Sequence, residues 1–275
     1  IPASGGGRGG GGNLIAGQVS LMHLDGWTWE QMEIRRGAAM QLIWPVIASG
    51  FGRGGGDPDM AAAFGGRRTT FSEAKRAQEA QVRKIQEFFE EARRYQAAKA
   101  AGLKTAGQAE LKPDLKFEAM IPVLEGKQAL MVFAAREREI REAVAWAEKS
   151  RVKIVLAGVR RPGKFTEELA KKKIPVIVGS PFTTPLDDDD GYDEPFAWVA
   201  DLYKAGVKFA FGSFGTQFAR NLPYQASACV PFGLPYDEAL KSVTLNAAEI
   251  WGVGSEYGSI EKGKVADLIV TDGDP

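Results

Sequence analysis

The sequence predicts an α/β fold built around a parallel β-sheet. From residue 129 onward, short apolar segments rich in β-branched residues alternate with amphipathic segments of helical period, and four such units follow one another. This alternation is typical of βα units around a parallel sheet. The strand segments are apolar throughout, as expected for strands buried on both faces. The chain has 275 residues, close to the roughly 250 of one β/α barrel. A barrel or a doubly wound sheet accounts for these features.

The elements before residue 129 are less regular. Two glycine-rich stretches, 5–12 and 50–56, predict surface loops, because glycine loses the most backbone freedom when it is ordered. Phosphate-binding loops need a flanking strand and helix that this sequence does not offer there. The other predicted elements are a buried strand over 19–24, a helix over 28–36 capped by Thr28, a strand over 42–47, a charged helix over 72–101 capped by Ser72, and a helix over 117–124.

The second half supplies the regular pattern. Strands are predicted over 129–134, 153–157, 174–178 and 207–211. Helices are predicted over 137–149, 165–172, 196–205, 223–230, 236–242 and 245–251. Since each strand precedes a helix, the carboxyl ends of these strands should meet at one edge, where barrels carry their sites.

Composition excludes several classes of partner. Lys plus Arg equals Asp plus Glu at 35 each, which argues against nucleic acid. No apolar run approaches the roughly 20 residues of a membrane helix, so no membrane partner is predicted. Cys229 is the only cysteine, which excludes an internal disulfide and a cysteine-based zinc site. A net charge of zero lowers the barrier to self-association, so we expect an oligomer.

Both ends of the sequence look incomplete. The chain starts at Ile1-Pro2-Ala3-Ser4, without an initiator methionine or a signal-peptide pattern. It stops at Asp274-Pro275, just after a strand-like run. We therefore expect residues to be missing at each end.

Four segments, spread over most of the chain, carry a resemblance to a known family. They are Ala16-Gly-Gln-Val-Ser-Leu-Met-His-Leu-Asp-Gly-Trp27, residues 193–210, residues 221–244, and Gly258-Ser-Ile-Glu-Lys-Gly-Lys-Val-Ala-Asp-Leu-Ile-Val270. In this order and spacing, they resemble the imidazolonepropionase-like branch of the amidohydrolase superfamily. That resemblance implies metal-dependent hydrolysis of C–N bonds, including non-peptide and dipeptide amides, as the activity of the family.

The resemblance also implies an architecture. It predicts a distorted TIM (β/α)8 barrel with part of a small β-sandwich formed by the chain ends. Residues 1–255 would form the barrel domain, without its N-terminal part. Residues 256–275 would form the return strand into the sandwich. The family's first barrel strand carries a His-x-His metal pair, and this chain would begin after it.

The remaining metal ligands of the family can be compared position by position. The resemblance implies histidines on the family's fifth and sixth strands, where this chain has Phe133 and Gly158, and an aspartate after its eighth strand, where Ser213 or Phe214 stands. Zinc is bound by histidine nitrogen, thiolate or carboxylate. Phenylalanine and glycine side chains offer none of these groups. The family uses zinc or another divalent metal, but no cofactor is predicted for this chain.

Other reactive side chains have simpler structural interpretations. His23 is the only histidine, and a hydrogen-bonded histidine of the barrel wall is favoured over a lone ligand or base. Cys229 is expected to be a buried thiol. The acidic run Asp187–Asp190 has the oxygen ligands that calcium prefers but not the spacing of a calcium hand, so a solvated loop over the barrel mouth is expected.

Four polar residues are the candidates for a binding site at the barrel mouth. Arg136 and Arg160 follow two predicted strands, and Arg220 and Asn221 follow the last one. Arginines there could bind an anion through paired hydrogen bonds. They could equally pair with acidic residues of the loops, and the sequence leaves both interpretations open.

Three functions remain open from the sequence. The first is a metal-free pseudoenzyme, a structural or regulatory subunit in a homo- or hetero-oligomer, for example with an active amidohydrolase homologue. The second is an active amidohydrolase whose ligands lie in a missing N-terminal part or in a partner chain. The third is a binding protein that uses the barrel mouth for an anionic or peptide-like ligand.

Overall fold

A computed structural model of the chain describes residues 14–47, 70–101, 113–186 and 189–273. Its centre is a six-stranded sheet in which the strands follow sequence order. The strands are β1 Ile15–Met22, β2 Glu33–Ile43, β3 Ala129–Phe133, β4 Ile154–Val159, β5 Val176–Val178 and β6 Phe209–Phe211. The α/β fold with a parallel sheet is as predicted.

The sheet is parallel except at its first edge. β1 pairs antiparallel with β2, with Val19 opposite Ala39. From β2 to β6 every pairing is parallel. The hydrogen-bonded order β1 to β6 is that of an open sheet in the part of the chain that the structure describes. The carboxyl ends of five strands therefore lie along one edge.

Nine α-helices occur in the described ranges. They are α1 Trp29–Met32, α2 Phe71–Ala100, α3 Leu115–Leu124, α4 Glu137–Ser150, α5 Thr166–Lys171, α6 Glu194–Lys204, α7 Leu222–Ser227, α8 Tyr236–Val243 and α9 Leu245–Ile250. Short 3₁₀ turns cover Gly163–Phe165, Thr216–Asn221 and Val230–Phe232. No helix among these residues has the length and apolar content to cross a bilayer.

The region between the first two strands differs from the sequence prediction. The helix expected to reach Arg36 ends at Met32, and β2 starts at Glu33. The cause is pairing with β1, which places Leu21 opposite Arg35. Tertiary pairing overrides the weak preference of a short segment for helix. The predicted strand over 42–47 was therefore too late, since β2 ends at Ile43.

The N-cap of the long helix α2 lies two residues before the predicted one. Thr70, rather than Ser72, is the N-cap. The Thr70 hydroxyl oxygen accepts from the Glu73 N–H at 3.3 Å, and the Thr70 N–H donates to the Glu73 carboxylate at 2.9 Å. This reciprocal pair is a capping box, which satisfies two of the free N–H groups of the first turn.

The two faces of the sheet have different cores. The outer face packs against helices in the larger core, which includes Leu42, Leu130, Leu156 and Phe209. The inner face has a smaller core, made of Val19, Ala39, Met131, Val155, Ala157 and Ile177. Phe133, Phe214, Ile250 and Trp251 pack against this smaller core. The inner face leads directly to the carboxyl edge of the strands.

The C-terminal segment folds back toward β1. Lys264 donates from its ammonium to the Gly254 carbonyl at 2.7 Å, and the Val265 N–H donates to the Glu256 carbonyl at 2.9 Å. Residues 264–271 form no strand with any other described residue, and Ile269 and Val270 are exposed. The assignment of residues 256–275 to a β-sandwich stays a prediction.

Candidate functional site

The carboxyl edge of the parallel strands is the natural place for a site, as in other β/α folds. β3 ends there at Phe133, β4 at Val159, and β6 at Phe211. The three positions compared with metal ligands, Phe133, Gly158 and Ser213, all lie at this edge. The structure therefore brings the predicted positions to one side of the sheet.

Phe133 and Gly158 face each other on neighbouring strands. A Cβ atom on Gly158 would lie 3.3 Å from Cδ1 of Phe133, tighter than an ordinary van der Waals contact. Gly158 has a φ of 66°, in the left-handed region, and lies where the pairing of β4 with β5 shifts register. Glycine tolerates this backbone because it has no Cβ. A side chain at position 158 would thus begin in tight contact with the Phe133 ring.

Phe214 completes this aromatic cluster. Its ring meets that of Phe133 edge to face, with the ring centres 5.3 Å apart and the planes at 70°. Phe214 has a φ of 49°, which is uncommon for a bulky residue. A Cβ on Gly212 would come within 2.9 Å of the Phe214 ring. Backbone strain and close packing hold this ring over the end of the sheet.

Ser213 uses its hydroxyl within its own turn. Its Oγ donates to the Gly215 carbonyl at 3.1 Å. A neutral hydroxyl that is already donating to the backbone is not a carboxylate ligand of the kind zinc takes. Residues 212–215 therefore form a tight turn after β6 in which Gly212 and Phe214 set the shape.

The residues at this edge do not fit a divalent metal. Phe133 and Gly158 offer no donor atom, and the Phe133 ring fills the intervening space. Within the described ranges, no group of three or more His, Cys, Asp or Glu side chains is placed to hold a metal ion. Phe133, Gly158 and Phe214 instead form an apolar cluster at the ends of the strands, which we call the apolar plug.

Arg136 and Arg160 contact the loop that follows β5. The Arg160 guanidinium donates to the Thr183 hydroxyl at 2.9 Å and to the Thr184 carbonyl at 3.2 Å. The Arg136 guanidinium donates to the Leu186 carbonyl at 3.3 Å. Each arginine therefore uses some of its N–H groups in hydrogen bonds to the loop. These contacts are closer to the interpretation in which the arginines hold the loops than to one in which they are free to bind an anion. The candidate role in ligand binding stays a prediction.

Arg161 connects the same edge to α6. Its guanidinium contacts both carboxylate oxygens of Asp190, at 2.7 and 2.6 Å, and its Nε lies 3.3 Å from Glu194. The Asp190 side chain is only 7% exposed. The expected solvated acidic loop is thus wrong for Asp190, which is buried in an ion pair. Asp187 and Asp188 lie outside the described residues.

The cavity under this loop is small. Its walls include Val159, Arg160, Pro181 and Trp198, and its volume is about 10 Å³. That is about the size of one water probe. The loop from Gly179 to Leu186 therefore leaves no room for an organic ligand beneath it.

Arg220 and Asn221 lie apart from the other candidates. Both belong to the 3₁₀ turn Thr216–Asn221. Arg220 is exposed, and the structure shows no hydrogen bond or ion pair from it to another described residue. No contact in the described ranges joins it to Arg136 or Arg160. The four candidates therefore do not form one cluster of contacts.

Comparison with known proteins agrees with the resemblance. Residues 196–275 match the amidohydrolase family. The resemblance to the amidohydrolases is confirmed. The matched part includes Ser213, Phe214, Arg220 and Asn221, whereas Phe133 and Gly158 lie before it.

The related sequences are imidazolonepropionases. This chain is 43% identical over 72 residues to that of Pseudomonas fluorescens, covering 25% of this chain and 18% of the relative. It is 36% identical over 80 residues to that of Symbiobacterium thermophilum, covering 28% of this chain and 19% of the relative. The matched region thus spans about a fifth of the length of these relatives.

The fold comparison extends further than the sequence comparison. A crystal structure of an amidohydrolase from Thermotoga maritima superimposes with a TM-score of 0.71 and 25% identity. The superposition covers 94% of this chain and 63% of that protein. The similarity of fold therefore extends well before residue 196, where the segment matched by the family begins.

His23 directly follows β1 and contacts two residues of the C-terminal segment, Tyr257 and Asp267. Its Nε2 lies 3.0 Å from the Tyr257 hydroxyl, and its Nδ1 lies 3.5 Å from Asp267. Burial, with the nearby charges of Glu256 and Asp267, raises the pKa of Tyr257. The expected structural role of His23 is consistent with these contacts. No local pattern could predict these partners, because Tyr257 lies 234 residues away in sequence and Asp267 lies further still.

Cys229 is a buried thiol, as expected. It is fully buried, and its Sγ lies 3.5 Å from the Gln225 carbonyl. Burial raises the pKa of this thiol to about 12. The thiolate is the reactive form of cysteine, so Cys229 is not a nucleophile near neutral pH.

Proposed function

We propose that this chain is a non-catalytic, amidohydrolase-type subunit with a structural or regulatory role. One observation carries the proposal, namely the packing of Phe133 over Gly158 at the carboxyl edge of the sheet. These are the positions where the resemblance implies two histidine ligands. Phenylalanine and glycine side chains offer no donor atom to a metal, and the Phe133 ring places apolar surface beside Gly158.

The surrounding contacts support this proposal. Phe214 packs edge to face on Phe133, so the apolar plug extends to the turn after β6. Arg160 and Arg136 bind the loop after β5. A hydrolase needs a polar, accessible centre that can stabilise developing charge. The described edge is instead apolar at its centre and covered by a loop at one side.

A subunit role fits the exposed surface of the C-terminal segment. Leu268, Ile269 and Val270 are exposed large apolar residues in succession. Consecutive exposed apolar residues of this kind commonly mark an interaction surface. An active amidohydrolase homologue, or a second copy of this chain, would be the partner under this proposal.

Metal analysis with activity assays tests the proposal directly. The purified full chain would be incubated with zinc, desalted, and its metal content measured by mass spectrometry. We expect less than about 0.1 zinc per chain, since ordinary zinc sites need three or four donors. Stoichiometric zinc, together with hydrolysis of an N-acyl amino acid, a dipeptide or a cyclic amide, would contradict the proposal.

A second candidate is an amidohydrolase completed by residues that a longer chain or a partner supplies. This candidate is supported by the 43% identity over 72 residues to an imidazolonepropionase. Native mass spectrometry of the chain with an active homologue separates the two. Activity and metal that appear only in a mixed complex, and vanish when the homologue's own ligands are substituted, support the regulatory role. Activity that survives that substitution supports a shared site.

A third candidate, binding of an anionic ligand at the mouth, rests on Arg220. It is exposed and has no polar partner among the described residues, and Asn221 follows it. Arg220→Ala would abolish such binding, whereas it would leave assembly with a homologue unchanged. This result distinguishes a ligand-binding role from a purely structural one.

A further inference from the structure

A groove lies between the long helix α2 and helix α4, on the outer layer of the fold. Its volume is about 550 Å³, within the range of small-molecule sites. Val82 and Arg83 line it from α2, and Trp146 and Lys149 line it from α4. Trp44, just after β2, contributes to the same lining. The groove is separate from the Phe133 cluster on the inner face.

Two tryptophans in the groove lining have unsatisfied donors. Trp44 is 2% exposed and Trp146 is 5% exposed, and their ring centres lie 5.7 Å apart. The indole N–H of each is buried and has no hydrogen-bond acceptor. A buried donor without an acceptor costs free energy, and such groups are rare enough in folded proteins to need an explanation. Both belong to one groove.

The charges of the groove are unbalanced after internal pairing. Glu79 pairs with Lys75 at 4.0 Å, and Glu142 pairs with Arg138 at 3.1 Å. Arg83 and Lys149 make no hydrogen bond or ion pair with any residue that the structure describes. One unpaired cation therefore remains on each wall, which favours an anion between the helices.

The two helices are joined by a hydrogen bond between the groove walls and by a second one beyond the groove. Gln78 donates from its side-chain amide to the Glu142 carboxylate at 2.7 Å. Further along α2, the Arg93 guanidinium donates to the Ser150 carbonyl. These bonds fix the spacing of the walls, so the groove is formed before any ligand enters.

We propose that this groove binds a small organic anion in which a carboxylate is joined to a planar apolar group. The carboxylate lies between Arg83 and Lys149, where charge-assisted hydrogen bonds are the strongest available. The apolar group packs on Trp146 and Val82, because aromatic surfaces prefer offset or edge contacts with other planar groups.

Nuclear magnetic resonance of the indole N–H groups tests this proposal with phenylacetate as the probe. The full chain has six tryptophans, and Trp44→Phe and Trp146→Phe assign the two signals of interest. We expect saturable shifts of these two signals with a dissociation constant of about 1 mM. Phenylacetamide has the same shape without the charge, and we expect it to bind about tenfold more weakly.

Two variants of groove residues test the proposed contacts, and one variant outside the groove is the control. Arg83→Gln and Lys149→Gln are each expected to weaken phenylacetate binding about fivefold, since each removes one charged partner. Lys84→Gln removes an exposed cation of the same helix that does not line the groove, and it is expected to bind as the unchanged protein does. The proposal is overturned if phenylacetate produces no saturable shift, or if the two groove variants bind it as well as Lys84→Gln.

Discussion

Cδ1 of Phe133 lies 3.3 Å from the point where a Cβ on Gly158 would stand. The two residues lie at the ends of neighbouring parallel strands, at the edge of the sheet where β/α folds have their active sites. Their contact makes the residue types at the two positions dependent on each other. The short distance to the Phe133 ring and the backbone φ of 66° both favour glycine at position 158 of β4.

Gly158→Ala is therefore expected to destabilise the protein by about 2–3 kcal/mol. About 1–2 kcal/mol comes from the left-handed backbone, which disfavours any Cβ, and about 1 kcal/mol from overpacking against the Phe133 ring. Urea denaturation followed by circular dichroism measures the loss in the free energy of unfolding.

Gly206→Ala is the matched control for this experiment. Gly206 has a φ of 77°, and a Cβ there would meet nothing within 4 Å. It should lose only the backbone part, about 1–2 kcal/mol. In a protein that already carries Phe133→Leu, the cost of Gly158→Ala should fall by the overpacking part, whereas the cost of Gly206→Ala should stay the same. Equal losses in the two glycine variants would show that the Phe133 contact is unimportant.

Thr70→Ala is expected to destabilise α2 by about 1 kcal/mol, because it removes an N-cap side chain. The Thr70 hydroxyl accepts from the Glu73 N–H in the capping box. Ser72→Ala is the control, since among the described residues the Ser72 hydroxyl has a hydrogen-bond contact only with that of Thr70, at 3.2 Å. We expect Ser72→Ala to change the free energy of unfolding by less than about 0.5 kcal/mol. A larger loss in Ser72→Ala than in Thr70→Ala would show that Ser72, and not Thr70, is the N-cap.

The fold was largely predictable because its signals are local. Each parallel strand is a short apolar run, and each following helix has its own apolar stripe, so β3, α4 and β4 can be predicted from a few neighbouring residues. The error around Glu33 has a different cause. Whether residues 33–36 form helix or strand is decided by β1, whose pairing with Arg35 cannot be read from the segment itself.

The candidate site was only partly predictable. The family resemblance pointed to Phe133, Gly158 and Ser213, and the structure brings them to one edge. That the ring of Phe133 occupies the space over Gly158 depends on strand register, which no local pattern supplies. The same limit applies to Arg161. Its bond to Asp190 spans 29 residues, and a run of acidic residues alone looks the same whether solvated or buried.

Arg161→Ala is expected to cost about 3 kcal/mol, because it removes the guanidinium that contacts both oxygens of the largely buried Asp190 carboxylate. The Asp190 side chain is 7% exposed, and Arg161 contacts both of its oxygens. Hydrogen exchange measured by mass spectrometry should show faster exchange in residues 179–186, as the loop loses its anchor.

Arg141→Ala is the control for the loop. Arg141 pairs with Glu137 on the exposed surface of α4, where such a pair contributes roughly 0–1 kcal/mol. Exchange in residues 179–186 should stay unchanged in this variant. Unchanged exchange in Arg161→Ala as well would mean that Arg160 and Arg136 hold the loop without the ion pair.

The buried thiol of Cys229 predicts a loss of stability at high pH. Burial raises its pKa in the folded protein to about 12, whereas a thiol in the unfolded chain ionises near about 8.5. The folded state then keeps a proton that the unfolded state loses. Its contribution is present below pH of about 8.5 and falls by about 1.4 kcal/mol per pH unit between the two pKa values.

Comparison with Cys229→Ala isolates this effect from the titration of Tyr and Lys residues. The difference in the free energy of unfolding between the two proteins would be measured from pH 7 to about pH 10.5. It should be constant below about pH 8 and then shrink, by about 2.7 kcal/mol at the upper limit. The folded protein should also resist a thiol reagent at pH 8 until urea unfolds it, because the reactive thiolate forms only on unfolding. Rapid labelling of the folded chain would place the pKa of Cys229 near its ordinary value and remove the predicted pH dependence.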